Sequence, residues 1–171
     1  MYTNEPQLST RDASFISLVT YRILYDQNMT SPLVQVIHDS KSVISPKGAE
    51  DWFPKFADSV HELLSQSQLN LPIIVIALIY LARIRNQINK FPGLEFSFFL
   101  AACMISHKMF TDSQFSSQVW AEISDHSTDE VKEIERQFIR LIDGKLHVRN
   151  DQYQQFIGVL QALGKNHISI L

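Results

Sequence analysis

Near the middle of the chain, Leu94 to Phe110 reads LEFSFFLAACMISHKMF, and few folds can accommodate it. The run is apolar on nearly every face, with Ala101, Ala102, Cys103 and Ser106 through its middle, where neighbouring helices can approach closely. A helix without a polar side must be covered all round, so the run predicts a rod inside a helical bundle. It changes character at Ser106, His107 and Lys108, and a positive charge leaves the last turn of a greasy rod. That exit is the expected point of contact with a partner protein.

The flanking sequence supplies the rest of a bundle. Thr10 is read as the cap of a first helix with Phe15, Ile16, Val19 and Ile23 at helical spacing, ending near Asn28. Met29 to Gly48 turns to Ser, Pro, Lys and Asp around Leu33 to Ile37, a connecting segment with one small anchor. Trp52, Phe53, Phe56, Val60, Leu63 and Leu64 recur at intervals of three and four, with Pro54 suited only to a first turn. These aromatics, like Trp120, are read as core rather than contact. Asn70 and Pro72 mark the start of a nearly all-apolar central helix, Ile73 to Gln87, which Phe91, Pro92 and Gly93 break. After a turn at Thr111 to Ser113, a short helix is expected over Phe115 to Ile123. Ser127 and Glu130 have capping-box spacing and open an amphipathic helix to Ile142, with Val131, Ile134, Phe138, Leu141 and Ile142 inward and Gly144 beyond its end. Asn150 or Asp151 caps a last helix carrying Tyr153, Phe156, Ile157, Leu160 and Leu163 and ended by Gly164. No stretch alternates with a period of two, so the predicted class is all-α. The expected division is 1–48, an N-terminal helix with its connection, and 49–171, the main helical domain.

Composition narrows function. Apolar residues are 45% and charged residues 19% of the 171, a globular balance that needs no staple. The single cysteine, Cys103, precludes an internal disulfide and reads as a buried thiol. With 15 Lys and Arg against 18 Asp and Glu the chain offers no basic footprint for nucleic acid. The first ten residues do not read as a signal peptide, and Arg83 and Arg85 close the apolar window Ile73 to Ala82 short of the roughly 20 residues of a membrane span. A soluble, intracellular protein, cytoplasmic or nuclear, is expected, with no membrane and no nucleic acid among its partners.

Chemistry-bearing patterns are sparse. The six histidines, at 38, 61, 107, 126, 147 and 167, include no pair one turn apart, so no metal set is expected. Ser113, Ser116 and Ser117 near His107 and Asp112 have hydrolase residue types but no signature around the serine, and no glycine-rich phosphate loop occurs. No catalytic residue and no cofactor is assigned. Taken alone, Lys108 is a cation meeting the negative end of a helix dipole, and Glu135 pairs with Lys132 one turn back or belongs to a solvated run with Glu130 and Glu133. Met109 and Phe110, just past the charged break, are candidates for an exposed contact.

Four pieces together carry a resemblance: ALIYLARI (Ala77 to Ile84), SHKMFTD (Ser106 to Asp112), VWAEIS (Val119 to Ser124) and EIERQFIRLIDGKLHV (Glu133 to Val148). In this order and spacing they resemble the cyclin box, most closely that of the fungal Pcl or Pho-type cyclins, over about residues 50 to 163. The resemblance implies a cyclin-fold bundle of about five core helices with an extra N-terminal helix. It implies a non-catalytic subunit that binds and activates a cyclin-dependent Ser/Thr protein kinase, with the kinase's substrates as further possible partners. Lys108 and Glu135 fall on the positions that face the kinase in that family, with Met109 and Phe110 beside them. The implied mechanism is allosteric: packing against the kinase's mobile helix holds it in the active arrangement, which the subunit must bind more tightly than the inactive one. Two features depart from the wider family. Ala82 stands where many cyclins carry an Asp before the Arg, and WFPKF stands near the place of the basic residue that pairs with it, so both halves of an ion pair are missing together. A cyclin-fold scaffold that bridges proteins or nucleic acid without a kinase is the alternative.

Overall fold

The computed structural model describes residues 9–25, 52–88 and 93–164. Among them it has helices and no strand: α1 (Thr10–Tyr25), α2 (Phe53–Ser67), α3 (Leu71–Ile88), α4 (Glu95–Phe110), α5 (Ser117–Ser124), α6 (Thr128–Leu141) and α7 (Asn150–Gly164). The all-α bundle expected from the sequence is the observed class. The expected end of the first helix near Asn28, and the connection from Met29 to Gly48, lie outside the described residues.

Helix α4 is the rod predicted to be covered all round. Phe98 to His107 are all buried, and Ala101, Ala102 and Cys103 are fully inaccessible. The small side chains let α3 lie close along α4, while α2 and α6 cover its other sides. Burial pushes the Cys103 thiol well above the usual range, so it stays a neutral, inert space-filler. Helix α3 has 18 residues, and by length and composition alone it could cross a membrane. Its apolar faces are instead packed by α1, α4 and α7, the environment of a core helix. Its polar end reaches sideways: Tyr80 Oη donates to the Leu146 carbonyl (2.8 Å), and Gln87 Nε2 to the Leu141 carbonyl (3.0 Å).

The helix starts follow local chemistry, with three adjustments. The first cap is Ser9, not Thr10: Asp12 Oδ2 accepts from Ser9 N (2.8 Å) and Ser9 Oγ (2.7 Å), and Ser9 Oγ accepts from Asp12 N (3.3 Å). Helix α5 starts at Ser117 rather than Phe115, because Ser116 Oγ caps it by accepting from Val119 N (3.3 Å). Neither Asn150 nor Asp151 caps α7; Gln152 Oε1 accepts from Arg149 N (3.4 Å), and Asp151 pairs with Arg149 instead. The boxes read correctly are Asn70, whose Oδ1 accepts from Ile73 N (3.2 Å), and Ser127 with Glu130, where the reciprocal pair is complete. Pro54 sits in the first turn of α2, where its missing donor costs nothing.

Candidate interaction site at the ends of helices 4 and 6

Lys108 leaves the last turn of α4, and Glu135 lies in the middle of α6, which crosses it. Their side chains meet, with Lys108 Nζ donating to Glu135 Oε1 at 2.6 Å. Neither is fully wet: the lysine side chain is 30% exposed and the glutamate 17%. Two expectations from the isolated helix are thereby corrected. Glu135 does not pair with Lys132, whose Nζ lies 3.9 Å from Asp129 instead, and it is not part of a solvated run, since Glu133 bonds Arg136 on the outer surface while Glu135 turns toward α4. A half-desolvated ion pair has more Coulomb energy than a surface one and loses more hydration, so its net contribution is about 1 kcal/mol.

The pair is anchored from beneath. His107, 5% exposed, has its ring 4.6 Å from that of Phe115 and 5.8 Å from that of Trp120, which is itself fully buried. Burial lowers the imidazole pKa below its ordinary value, which keeps the ring neutral beside the lysine. The His107 carbonyl accepts from both the backbone and the hydroxyl of Thr111, ending the helix and fixing where the chain turns away. Gln114 Nε2 also donates to the Lys108 carbonyl (3.1 Å).

Apolar side chains lie open around this point. Met109 is 52% and Phe110 50% exposed, as the break in the sequence suggested. Ile139, 39% exposed, stands one turn beyond Glu135 on the same face of α6 and was not singled out. The available signal was its position at i+4 from Glu135, off the inward stripe of Val131, Ile134, Phe138, Leu141 and Ile142. Large apolar groups left in water beside a half-buried ion pair suit a surface that another protein covers.

Fold and site together define a class: an all-helical bundle presenting an ion-paired, apolar-edged face. The family model described as Cyclin matches residues 55–146, just over half of the chain, from the first turn of α2 into the segment that follows α6. The chain belongs to the cyclin family. Comparison with curated proteins and with solved structures returns no match. Members of the family are regulatory, non-catalytic subunits that generally bind cyclin-dependent kinases, and α1 and all of α7 lie outside the matched residues.

Proposed function

We propose that this chain is the regulatory subunit of a cyclin-dependent Ser/Thr protein kinase, of the single-box kind found in the fungal Pcl or Pho-type cyclins. Lys108, Glu135, Met109 and Phe110 form the kinase contact, with Ile139 added to it. The observation that carries the reading is the junction of Lys108 with Glu135 beside three exposed apolar side chains; the resemblance to the cyclin box is what implies that the two charged residues face a kinase. Binding would cover the apolar groups and hold the kinase's mobile helix in its active position, which raises activity only as far as the active state is bound more tightly.

The pair permits a test that separates binding from folding. In Lys108→Glu with Glu135→Lys, the two charges exchange places, so the internal attraction survives while the partner meets the opposite polarity. The thermal midpoint is expected to stay within about 2 °C of the parent. Affinity for the kinase, identified by pull-down and mass spectrometry, is expected to fall at least tenfold. Undiminished binding by the exchanged variant removes these two residues from the contact, and failure to recover any cyclin-dependent kinase removes the function.

A further inference from the structure

Beyond α6 the chain makes a tight reversal, with Asp143 at φ +54° and Gly144 at φ +63°, and then alternates. Leu146 and Val148 turn inward and pack against the core, while Lys145, His147 and Arg149 are exposed. Alternate side chains of such a segment stand about 6–7 Å apart on one side. The backbone under them is held firmly for a surface connection. Arg83 of α3 donates through its guanidinium to the Lys145 carbonyl, to the His147 carbonyl (2.9 Å) and to Gln152 Oε1 (3.3 Å), and Tyr80 takes the Leu146 carbonyl between them.

The electrostatics of this edge differ from those of the chain as a whole. Arg83 is satisfied by neutral oxygens and forms no ion pair among the described residues, so its full charge remains beneath the segment. From residue 140 to 149 the sequence has Arg140, Lys145 and Arg149 against Asp143 alone, in a protein of net charge −3. The helix dipole accounts for Arg140, in the last turn of α6, but not for the cations beyond the helix. The pairs Lys145–Asp143 (3.1 Å) and Arg149–Asp151 (2.6 Å) are between side chains that are mostly exposed, and such pairs exchange readily for another acid.

We propose that Lys145, His147 and Arg149, held over the Arg83 guanidinium, form a docking edge for an extended acidic peptide bearing carboxylates on alternate residues, the group that Lys145 and Arg149 already take from Asp143 and Asp151. The spacing of the donors matches that of alternate side chains in an extended partner, and the fixed backbone spares the entropy of ordering the segment on binding. In a kinase regulator such an edge would recruit protein segments, yet its recognition chemistry does not depend on the kinase contact.

The test uses the full chain and labelled pentapeptides in fluorescence anisotropy at low salt. One peptide has glutamate at its first, third and fifth positions with serine between; a second has the three glutamates adjacent; a third replaces the glutamates with phosphoserine. The alternating peptide is expected to bind several-fold more tightly than the adjacent one, and Lys145→Glu with Arg149→Glu to weaken it about tenfold with helicity and kinase binding unchanged. Arg83→Lys keeps the charge but lacks the planar fork that reaches the Lys145 and His147 carbonyls from two separate nitrogens, and is expected to erase the preference for alternation. Affinity for the phosphoserine peptide within about threefold of that for the glutamate peptide supports carboxylate recognition, and binding of the phosphoserine peptide more than roughly tenfold tighter overturns the proposal in favour of a phosphate site. Equal affinity for the alternating and adjacent peptides, no loss in the reversed variant, or a stronger preference for single-stranded DNA of equal charge overturns the proposal.

Discussion

His107 packs against Phe115 and Trp120 with its Nδ1 bonded to no group among the described residues, and burial lowers its pKa. Below the ordinary value near 6.5 the unfolded chain therefore binds a proton that the folded one resists, so stability falls as pH drops from about 6.5 through the folded-state value and is level above it. Glu130 is displaced in the same sense, its pKa held down by the Ser127 amide and hydroxyl, but its window opens only below the ordinary carboxylate range near 4.5. Thermal midpoints at pH 7 and pH 5 should then differ less in His107→Phe than in the parent, because the pH 5 measurement lies inside the first window and outside the second. An unchanged difference would show that His107 is not the group responsible. Ser127→Ala removes the reciprocal cap of α6 and is expected to cost about 1 kcal/mol, a fall of about 2–4 °C in the midpoint. That cap was legible because it is wholly local, a hydroxyl with a carboxylate three residues on. The same rule, applied with Asp12 in view, would have chosen Ser9 over Thr10, since only Ser9 has an acid at that spacing.

For single elements, periodicity identifies the buried face of a helix but is silent about the neighbour that covers it. Phe138 and Val131 of α6 were placed inward by their spacing, and both are fully buried. Glu135 was given Lys132 as a partner or a place in a solvated run, and it takes neither, because Lys108 approaches from α4 with a charge that no pattern along α6 records. The family resemblance, not periodicity, singled out those two residues together. Likewise, the apolar character of α3 was plain, whereas its reach to the 145–147 backbone through Tyr80 and Arg83 was not, since those contacts span more than sixty residues of sequence. Helix α4 offers the most direct test of close packing between elements. Ala101 and Ala102 have no accessible surface, so Ala102→Leu forces extra methylenes into a filled interior and is expected to destabilise by about 1–3 kcal/mol in urea unfolding, with Ala101→Leu alike. A neutral result at both positions would mean that the rod has slack around its small residues.

On the scale of the whole molecule, the open matter is how α1 relates to the residues matched by the family model, which begin at 55. Helix α1 lies against α2 and α3, and its Ala13, Phe15, Ile16, Val19, Ile23 and Leu24 are buried in the same core cluster as the central helices. Its end is tied down as well: Tyr25 donates to the Glu95 carboxylate, which also accepts from Gly93 N (3.2 Å), and the Tyr25 ring lies 5.5 Å from that of Trp52. Each large apolar side chain so buried contributes about 1.5–3 kcal/mol, so five of them together rival the ~5–15 kcal/mol that holds an ordinary domain folded. A chain beginning at Trp52 would leave that face of α2 and α3 in water. We therefore expect it to bind a hydrophobic dye strongly, to unfold at a much lower urea concentration or without a cooperative transition, and to lose kinase affinity although Lys108 and Glu135 are intact. Adding residues 1–51 as a separate peptide should restore part of the transition if packing alone was lost. If the shortened chain keeps the parent's midpoint and dye response, α1 is a passenger on a bundle that stands without it, and the core would have to be redrawn around α2 to α7.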